Sequence, residues 1–207
     1  MKPLAPRTQW LAGLALIALL WLAPVRHAME ASMWRHMMLQ FPASMLAGAL
    51  LAVALPQRAR VALGRGNAHG ITGLLAVALV LTVLMIPRVL DLALLRPGVE
   101  WAKLLALLVA GAALRLSWRS AGLVLQFFFL GNVLPMMAVV GSLYVDSPLR
   151  LCNAYLLDDQ VRLGQWLIGV AAGVGAAWLA RVVWLQVRRD VAARMRENVE
   201  ALPRRSR

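Results

Sequence analysis

Hydrophobic residues along this chain fall into six long runs, and short stretches rich in Pro, Gly and Arg separate them. A helix needs about 20 apolar residues to cross roughly 30 Å of hydrocarbon, and the runs approach that length. The pattern predicts an all-α fold, a polytopic transmembrane helix bundle of about six spans. The predicted spans cover residues 10–25, 37–55, 71–86, 102–116, 122–144 and 165–187.

The two ends of the chain carry separate predictions. Lys2 and Arg7 precede the first run, as in a signal peptide, but the exit Leu-Ala-Pro-Val-Arg at 22–26 lacks an A-x-A cleavage pattern. We therefore expect the first helix to be retained. Residues 1–187 are predicted to form the bundle, and residues 188–207 a basic cytoplasmic tail that is either amphipathic or disordered.

The composition favours a membrane protein over the other classes that a basic chain suggests. The chain is 61% hydrophobic and 15% charged, with a net charge of +13, and its mean hydropathy is +0.71. A nucleic-acid-binding domain needs a hydrated basic face, and this chain has too little polar surface to make one. We therefore predict the lipid bilayer as a partner and no nucleic acid.

The placement of the basic residues predicts the orientation. Of the 22 Lys and Arg, 15 fall in the N-terminus, the 56–70 loop, the 115–121 turn and the region from Arg181 onward. By the positive-inside rule this side is cytoplasmic and holds both termini. The chain is thus predicted to be a multi-pass protein of a bacterial inner membrane, with its other loops on the periplasmic side.

A stripe of sulfur and polar side chains marks the start of the second span. If residues 29–44 are helical, an advance of about 100° per residue places seven of them within an arc of about 120°. Thioether sulfur and imidazole are the ligands that favour Cu(I), because a soft cation prefers polarizable donors. The stripe, which predicts a copper site, consists of Met29, Glu30, Met33, His36, Met37, Gln40 and Ser44.

Each candidate ligand in the stripe has a structural alternative. A methionine stripe at helical spacing is also typical of packing in a membrane core. A carboxylate such as Glu30 near hydrocarbon needs a partner or a function, and Arg26, Arg88 or Arg96 could pair with it. The pairing and the metal hypothesis are compatible.

A second polar window precedes the last predicted span. Asp158 and Asp159 can cap that helix, since carboxylates near a helix N-terminus accept its free N–H groups. Alternatively, Asp159 is a metal ligand or a hydrogen-bond partner of His36. Cys152, the only cysteine, is either a soft ligand or a small buried apolar residue.

Two short windows resemble a known family. The residues Met33-Trp-Arg-His36-Met37, and Asp159-Gln-Val-Arg-Leu-Gly164 at the start of the last span, are similar to the His-Met-x-x-His-Met and Asp-Gln-x-x-Gly-Gly features of the CtaG-type cytochrome c oxidase assembly family. That resemblance implies a multi-span bacterial membrane protein associated with maturation of the copper-containing oxidase. Ser32 stands where the family's first histidine would be, so the implied metal site depends on Met33, His36 and Met37.

The stripe and the resemblance together predict a non-enzymatic copper-handling factor. It would assist the assembly of a haem-copper cytochrome oxidase or a related complex of the respiratory chain, with an oxidase subunit or a copper donor protein as partner. No Ser/His/Asp or H-E-x-x-H pattern suggests a hydrolytic enzyme.

Two other function classes stay open. One is a haem-binding or structural subunit of a membrane electron-transfer complex, although His36 and His69 are predicted near opposite faces and could not share one haem. The other is a small transporter. Gln40, Gln126 and Asn132 would give its spans some polarity, but no chain of ionisable groups follows from the sequence.

Overall fold

The computed structural model describes residues 5–200, with side chains described through residue 195. The described elements are helices joined by short connections, which confirms the all-α class. A π-helical segment, His36–Gln40, joins α3 to α4. The helices are α1 Pro6–Trp21, α2 Ala23–Glu30, α3 Met33–Arg35, α4 Phe41–Leu51, α5 Gln57–Gly66, α6 Ile71–Leu84, α7 Pro87–Leu95, α8 Pro97–Trp118, α9 Gly122–Asp146 and α10 Leu157–Glu200.

The structure supports fewer membrane spans than the sequence pattern predicts. Within the described residues, three helical stretches are long and apolar enough to cross a membrane: Met33–Ala54, Gly122–Asp146 and Leu157–Met195. Two pairs of bent helices could add one span each, which raises the number to five. The predicted segment 102–116 lies in α8, which is not among these candidates. The structure thus confirms apolar helices suited to a membrane but not a count of six.

Proline and glycine explain the two bends. The chain turns by 71° between α1 and α2, where Pro24 occupies the first turn of α2 and prevents α1 from continuing. A second bend of 68° separates α5 from the helix that follows it. There the backbone is left-handed at His69, with φ 56°, and at Gly70, with φ 79°, a conformation that costs glycine little.

A close crossing of α4 and α8 forms the centre of the helical assembly. Gly48 in α4 faces the backbone of Leu108, and Gly111 in α8 faces the backbone of Met45, so a Cβ atom at either glycine would overlap main-chain atoms. Small residues at such positions allow helices in membranes to approach closely. This contact sets α8 directly against the segment that carries the predicted stripe.

Two compact units divide the chain, residues 1–171 and 172–207. The core described below belongs to the first. The described residues of the second unit, 172–200, form the later part of α10, where Arg188 lies over the ring of Trp184 with 3.8 Å between the guanidinium carbon and the ring centroid. Of the predicted basic tail, residues 188–200 continue α10, and residues 201–207 lie outside the described residues.

Candidate functional site

A break in the helix divides the predicted stripe. α2 ends at Glu30 and α3 begins at Met33, and Ser32 between them is extended, with φ −141° and ψ 133°. The assumption of one helix over 29–44 is therefore wrong. Met29 and Glu30 lie on a different helix from Met33, so the seven stripe residues do not share one helical face.

Asp159 is responsible for the start of α3. Its carboxylate accepts a hydrogen bond from the Ser32 hydroxyl at 2.8 Å and another from the backbone N–H of Met33. A carboxylate at a helix N-terminus satisfies a free N–H and interacts favourably with the helix dipole. Asp159 thus caps α3 from across the fold instead of binding His36, and both of its oxygen atoms already have partners.

The rest of the Asp159 window joins other elements in the same way. The Gln160 side-chain Oε1 accepts a hydrogen bond from the Leu151 N–H at 2.8 Å, and its Nε2 donates to the Tyr144 backbone carbonyl at 3.2 Å. A Cβ atom on Gly164 would lie 2.5 Å from the Gly141 carbonyl oxygen, so glycine allows α10 to approach α9. These residues fix the end of the bundle that contains His36.

The sulfur-bearing residues of the stripe lie deep in the protein. Met33 and Met37 are 0% and 2% exposed, and Met29 is half-buried. Met33 and Met37 belong to a buried cluster that also contains Cys152 and Tyr155. We call this the Met33 cluster; its other members are Phe41, Leu84, Leu90, Leu107, Tyr144, Leu163 and Leu167.

His36 is also completely buried, and protein groups contact both of its ring nitrogens. Nδ1 lies 2.7 Å from the Tyr155 hydroxyl oxygen, and Nε2 lies 2.6 Å from Lys103 Nζ. An ammonium group only donates hydrogen bonds, so Nε2 accepts from Lys103 and the proton of the neutral ring is assigned to Nδ1, which donates to Tyr155. The imidazole therefore has no free lone pair in this arrangement.

Lys103 makes two buried hydrogen bonds and one ion pair. Besides His36 Nε2, its Nζ contacts Gln40 Oε1 at 3.1 Å and Glu100 Oε2 at 2.8 Å. Its side chain is 1% exposed; burial lowers the pKa of Lys103, and the neighbouring Glu100 carboxylate opposes that shift by favouring the charged form. A buried ammonium is tolerated only with such pairing.

Glu30 pairs with arginine, as one alternative from the sequence predicts. Its Oε1 lies 3.9 Å from Arg26 Nε, and its carboxyl group also lies close to that of Glu100. The described contacts do not place Glu30 with the thioethers of the Met33 cluster. We refer to the polar groups joined at this end of the molecule, Arg26, Glu30, His36, Gln40, Glu100, Lys103 and Tyr155, as the His36 network.

The loop before α10 supplies the remaining groups. Asp91 in α7 holds this loop by accepting the N–H groups of Asn153 at 2.9 Å and Ala154 at 3.2 Å. Burial, with a smaller contribution from Asp91, raises the pKa of the Cys152 thiol to about 12. Burial likewise raises the pKa of Tyr155 above its ordinary value. Both side chains are therefore neutral at physiological pH.

An open cavity of about 390 Å³ adjoins this loop. Tyr155 and Asp159 contribute to its wall, together with Ser32, Asp158 and Arg162. Tyr155 therefore contacts His36 on one side and lines the cavity on the other.

Lys103 is not among the site residues that the sequence pattern predicts, although it contacts His36 directly. The sequence did contain a signal for this lysine. Lys103 is followed at i+4, i+7 and i+8 by Leu107, Ala110 and Gly111, so it lies on the same face of α8 as these buried residues. A lysine on the buried face of an apolar helix indicates a specific partner. Tyr155 had no comparable signal.

The described part of the chain has no group of three or more His, Cys, Asp or Glu that could hold a metal ion. A metal site near His36 would therefore depend on methionine sulfur, which suits Cu(I) better than a hard cation. His27 and His69 are both exposed. Comparisons with protein-family models, with curated proteins and with solved structures find no match to this chain.

Proposed function

We propose that the protein is an integral membrane factor that handles Cu(I) during the assembly of a haem-copper oxidase or a related respiratory complex. The observation that carries the proposal is the burial of Met33, His36 and Met37 together at one end of the molecule. In the proposed orientation this end faces the periplasm of a bacterial inner membrane. The protein would hold or relay the ion without catalysing a reaction.

The donor set fits Cu(I) in its chemistry. Met33 and Met37 offer uncharged, polarizable sulfur inside a cluster that excludes water, and such sites favour soft monovalent ions. His36 would supply nitrogen, and Cys152, from the same cluster, would be a further soft donor. The raised pKa of Cys152 means that the thiol would have to lose its proton to bind as a thiolate.

The other residues of the predicted ligand set have structural partners. Glu30 is paired with Arg26, and Asp159 caps α3. We therefore assign the ion to Met33, Met37 and His36. Met29 remains a candidate at the edge of the site, on the preceding helix.

Copper measurement on purified protein tests this function. The protein in nanodiscs is loaded with Cu(I) under reducing, anaerobic conditions, desalted, and analysed by plasma mass spectrometry. We expect the wild type to retain copper and Met33→Leu/Met37→Leu to lose it, because leucine keeps the volume but has no sulfur donor. Met38→Leu/Met45→Leu is the matched control, since both methionines are only partly buried against the cluster. Equal copper in all three proteins would contradict ligation by Met33 and Met37.

A small transporter is the second candidate, and the His36 network favours it. Buried ionisable side chains in membrane proteins often mark the path of a proton or an ion. Here Glu100, Lys103 and His36 are connected by contacts of 2.8 and 2.6 Å. Proton flux into vesicles that contain the purified protein, compared with Lys103→Met, would test this alternative.

A further inference from the structure

The position on His36 that a metal ion would need is occupied by Lys103. With Lys103 as an ammonium donor, the ring proton is assigned to Nδ1, which faces Tyr155, and Nε2 is the nitrogen with a lone pair. That lone pair is directed at Lys103 Nζ, 2.6 Å away. An ammonium group and a metal ion cannot share one lone pair.

We propose that Lys103 is a built-in competitor of the metal ion at His36, and that Cu(I) reaches Nε2 only when the ammonium group moves away. This inference rests on the proposed copper function. It makes Lys103 a positioning residue, which holds the imidazole in the tautomer and orientation of a ligand while no ion is bound. Entry of the metal ion would then require the contact between Lys103 of α8 and His36 of the π-helical segment to break.

The surroundings of Lys103 provide a place for the displaced ammonium. Glu100 lies one helical turn earlier in α8 and contacts Nζ at 2.8 Å. Glu30 is close to Glu100, and its Oε1 lies 3.9 Å from Arg26 Nε; neither this oxygen nor either Glu100 oxygen makes a hydrogen bond within the described residues. A rotation of the flexible lysine side chain toward these two carboxylates would free Nε2 and keep the positive charge paired.

The π-helical turn at residues 36–40 also suits the replacement of Lys103 by a metal ion at His36. π-helical turns within α-helices occur frequently at functional sites, and this one contains both His36 and Gln40, the two acceptors of Lys103 on that segment. The Gln40 amide nitrogen is buried without a hydrogen-bond partner in the described structure. While Lys103 contacts this segment, one of the segment's buried hydrogen-bond donors therefore has no acceptor among the described residues.

A comparison of Cu(I) affinities tests the proposal. The affinity of each protein is measured anaerobically in nanodiscs by competition with a chromophoric Cu(I) chelator. Lys103→Met removes the competing ammonium, and Lys103→Met/Glu100→Gln removes it without leaving a buried carboxylate unpaired. We expect both variants to bind Cu(I) roughly 10- to 100-fold more tightly than the wild type, which corresponds to the loss of one charged hydrogen bond. Lys103→Arg keeps the charge and should stay near the wild-type affinity.

The contact between Lys103 and His36 can also be tested in the absence of metal. Nitrogen-15 NMR of the histidine rings should show His36 in the Nδ1–H tautomer in the wild type, with an Nε2 signal that shifts in Lys103→Met. The exposed His27 and His69 are internal controls and should not shift. An unchanged His36 signal, or equal copper affinities in wild type and both Met variants, would overturn the role of Lys103 and leave the copper function intact. Absence of copper binding in every protein, including the wild type, would overturn both proposals.

Discussion

Gly164 ends the Asp159 window, and its structural role can be tested directly. It lies in α10 where that helix meets α9, and a Cβ atom there would sit 2.5 Å from the Gly141 carbonyl oxygen and 2.8 Å from a Val145 methyl carbon. Ordinary contacts between such atoms are about 3.5 Å. In Gly164→Ala the two helices would therefore have to separate by roughly 1 Å, since a backbone carbonyl cannot move away as a flexible side chain can.

Gly169→Ala provides the matched control for this substitution. Gly169 lies in the same helix, and a Cβ atom there would meet nothing within 4 Å. Both alanines gain about 1 kcal/mol of helix propensity, so the difference between the variants isolates the steric effect. Overpacking in a close contact typically costs about 1–3 kcal/mol.

Thermal unfolding of the purified proteins in one detergent would measure the difference. A chain of this length loses about 2–4 °C in Tm per kcal/mol, so Gly164→Ala should unfold about 2–12 °C below Gly169→Ala. Gly169→Ala itself should match or slightly exceed the wild type. Equal melting temperatures for the two variants would refute the close approach of α9 and α10 at Gly164.

Three further predictions concern the same end of the molecule. Asp159→Ala should lower the free energy of unfolding, measured by chemical denaturation, by about 2–4 kcal/mol, since two hydrogen bonds to a charged group are lost. In the same assay Asp158→Ala, at an exposed neighbouring position, should change it by less than about 0.5 kcal/mol. Cys152 should react with a maleimide at pH 8 far more slowly in the folded than in the unfolded protein. Because the folded state raises the pKa of its thiol, the contribution of Cys152 to stability is present below about pH 9 and is lost as the pH rises through about 12. Fast labelling of the folded protein would contradict its burial. Tyr155→Phe should destabilise the fold by about 1–3 kcal/mol, because it leaves His36 Nδ1 unpaired in a buried site, and a melting temperature equal to the wild type would argue against that hydrogen bond.

The sequence predicted part of the site because helical periodicity acts locally. Met33, Met37, Gln40 and Ser44 were placed on one face and are all buried in the structure. Periodicity failed at Glu30, because it assumes that the helix continues. The break depends on a carboxylate more than 120 residues away in sequence, and no local pattern reports such a contact.

The fold shows the same division between local and distant causes. Hydropathy identified apolar helices correctly, since burial in lipid and burial in protein both select apolar residues. It did not report the specific partners of a buried polar group such as Lys103 in α8, which contacts side chains of another segment. Lys103 reaches His36 because α8 packs against the segment that contains His36 and α4, a contact that hydropathy does not report.

The His36 network joins parts of the chain that are synthesised at different times. Lys103 and His36 are 67 residues apart, whereas Tyr155 follows His36 by 119 residues. At roughly 5–20 residues per second, the ribosome needs about 3–10 s to extend the chain from Lys103 to Tyr155. During that interval a nascent chain holds the imidazole and the ammonium without the tyrosine hydroxyl or the Asp159 cap. The order of translation thus makes the loop at Tyr155 and the start of α10 the last parts to reach the site, and a chain that stops before them would leave His36 on an incomplete surface.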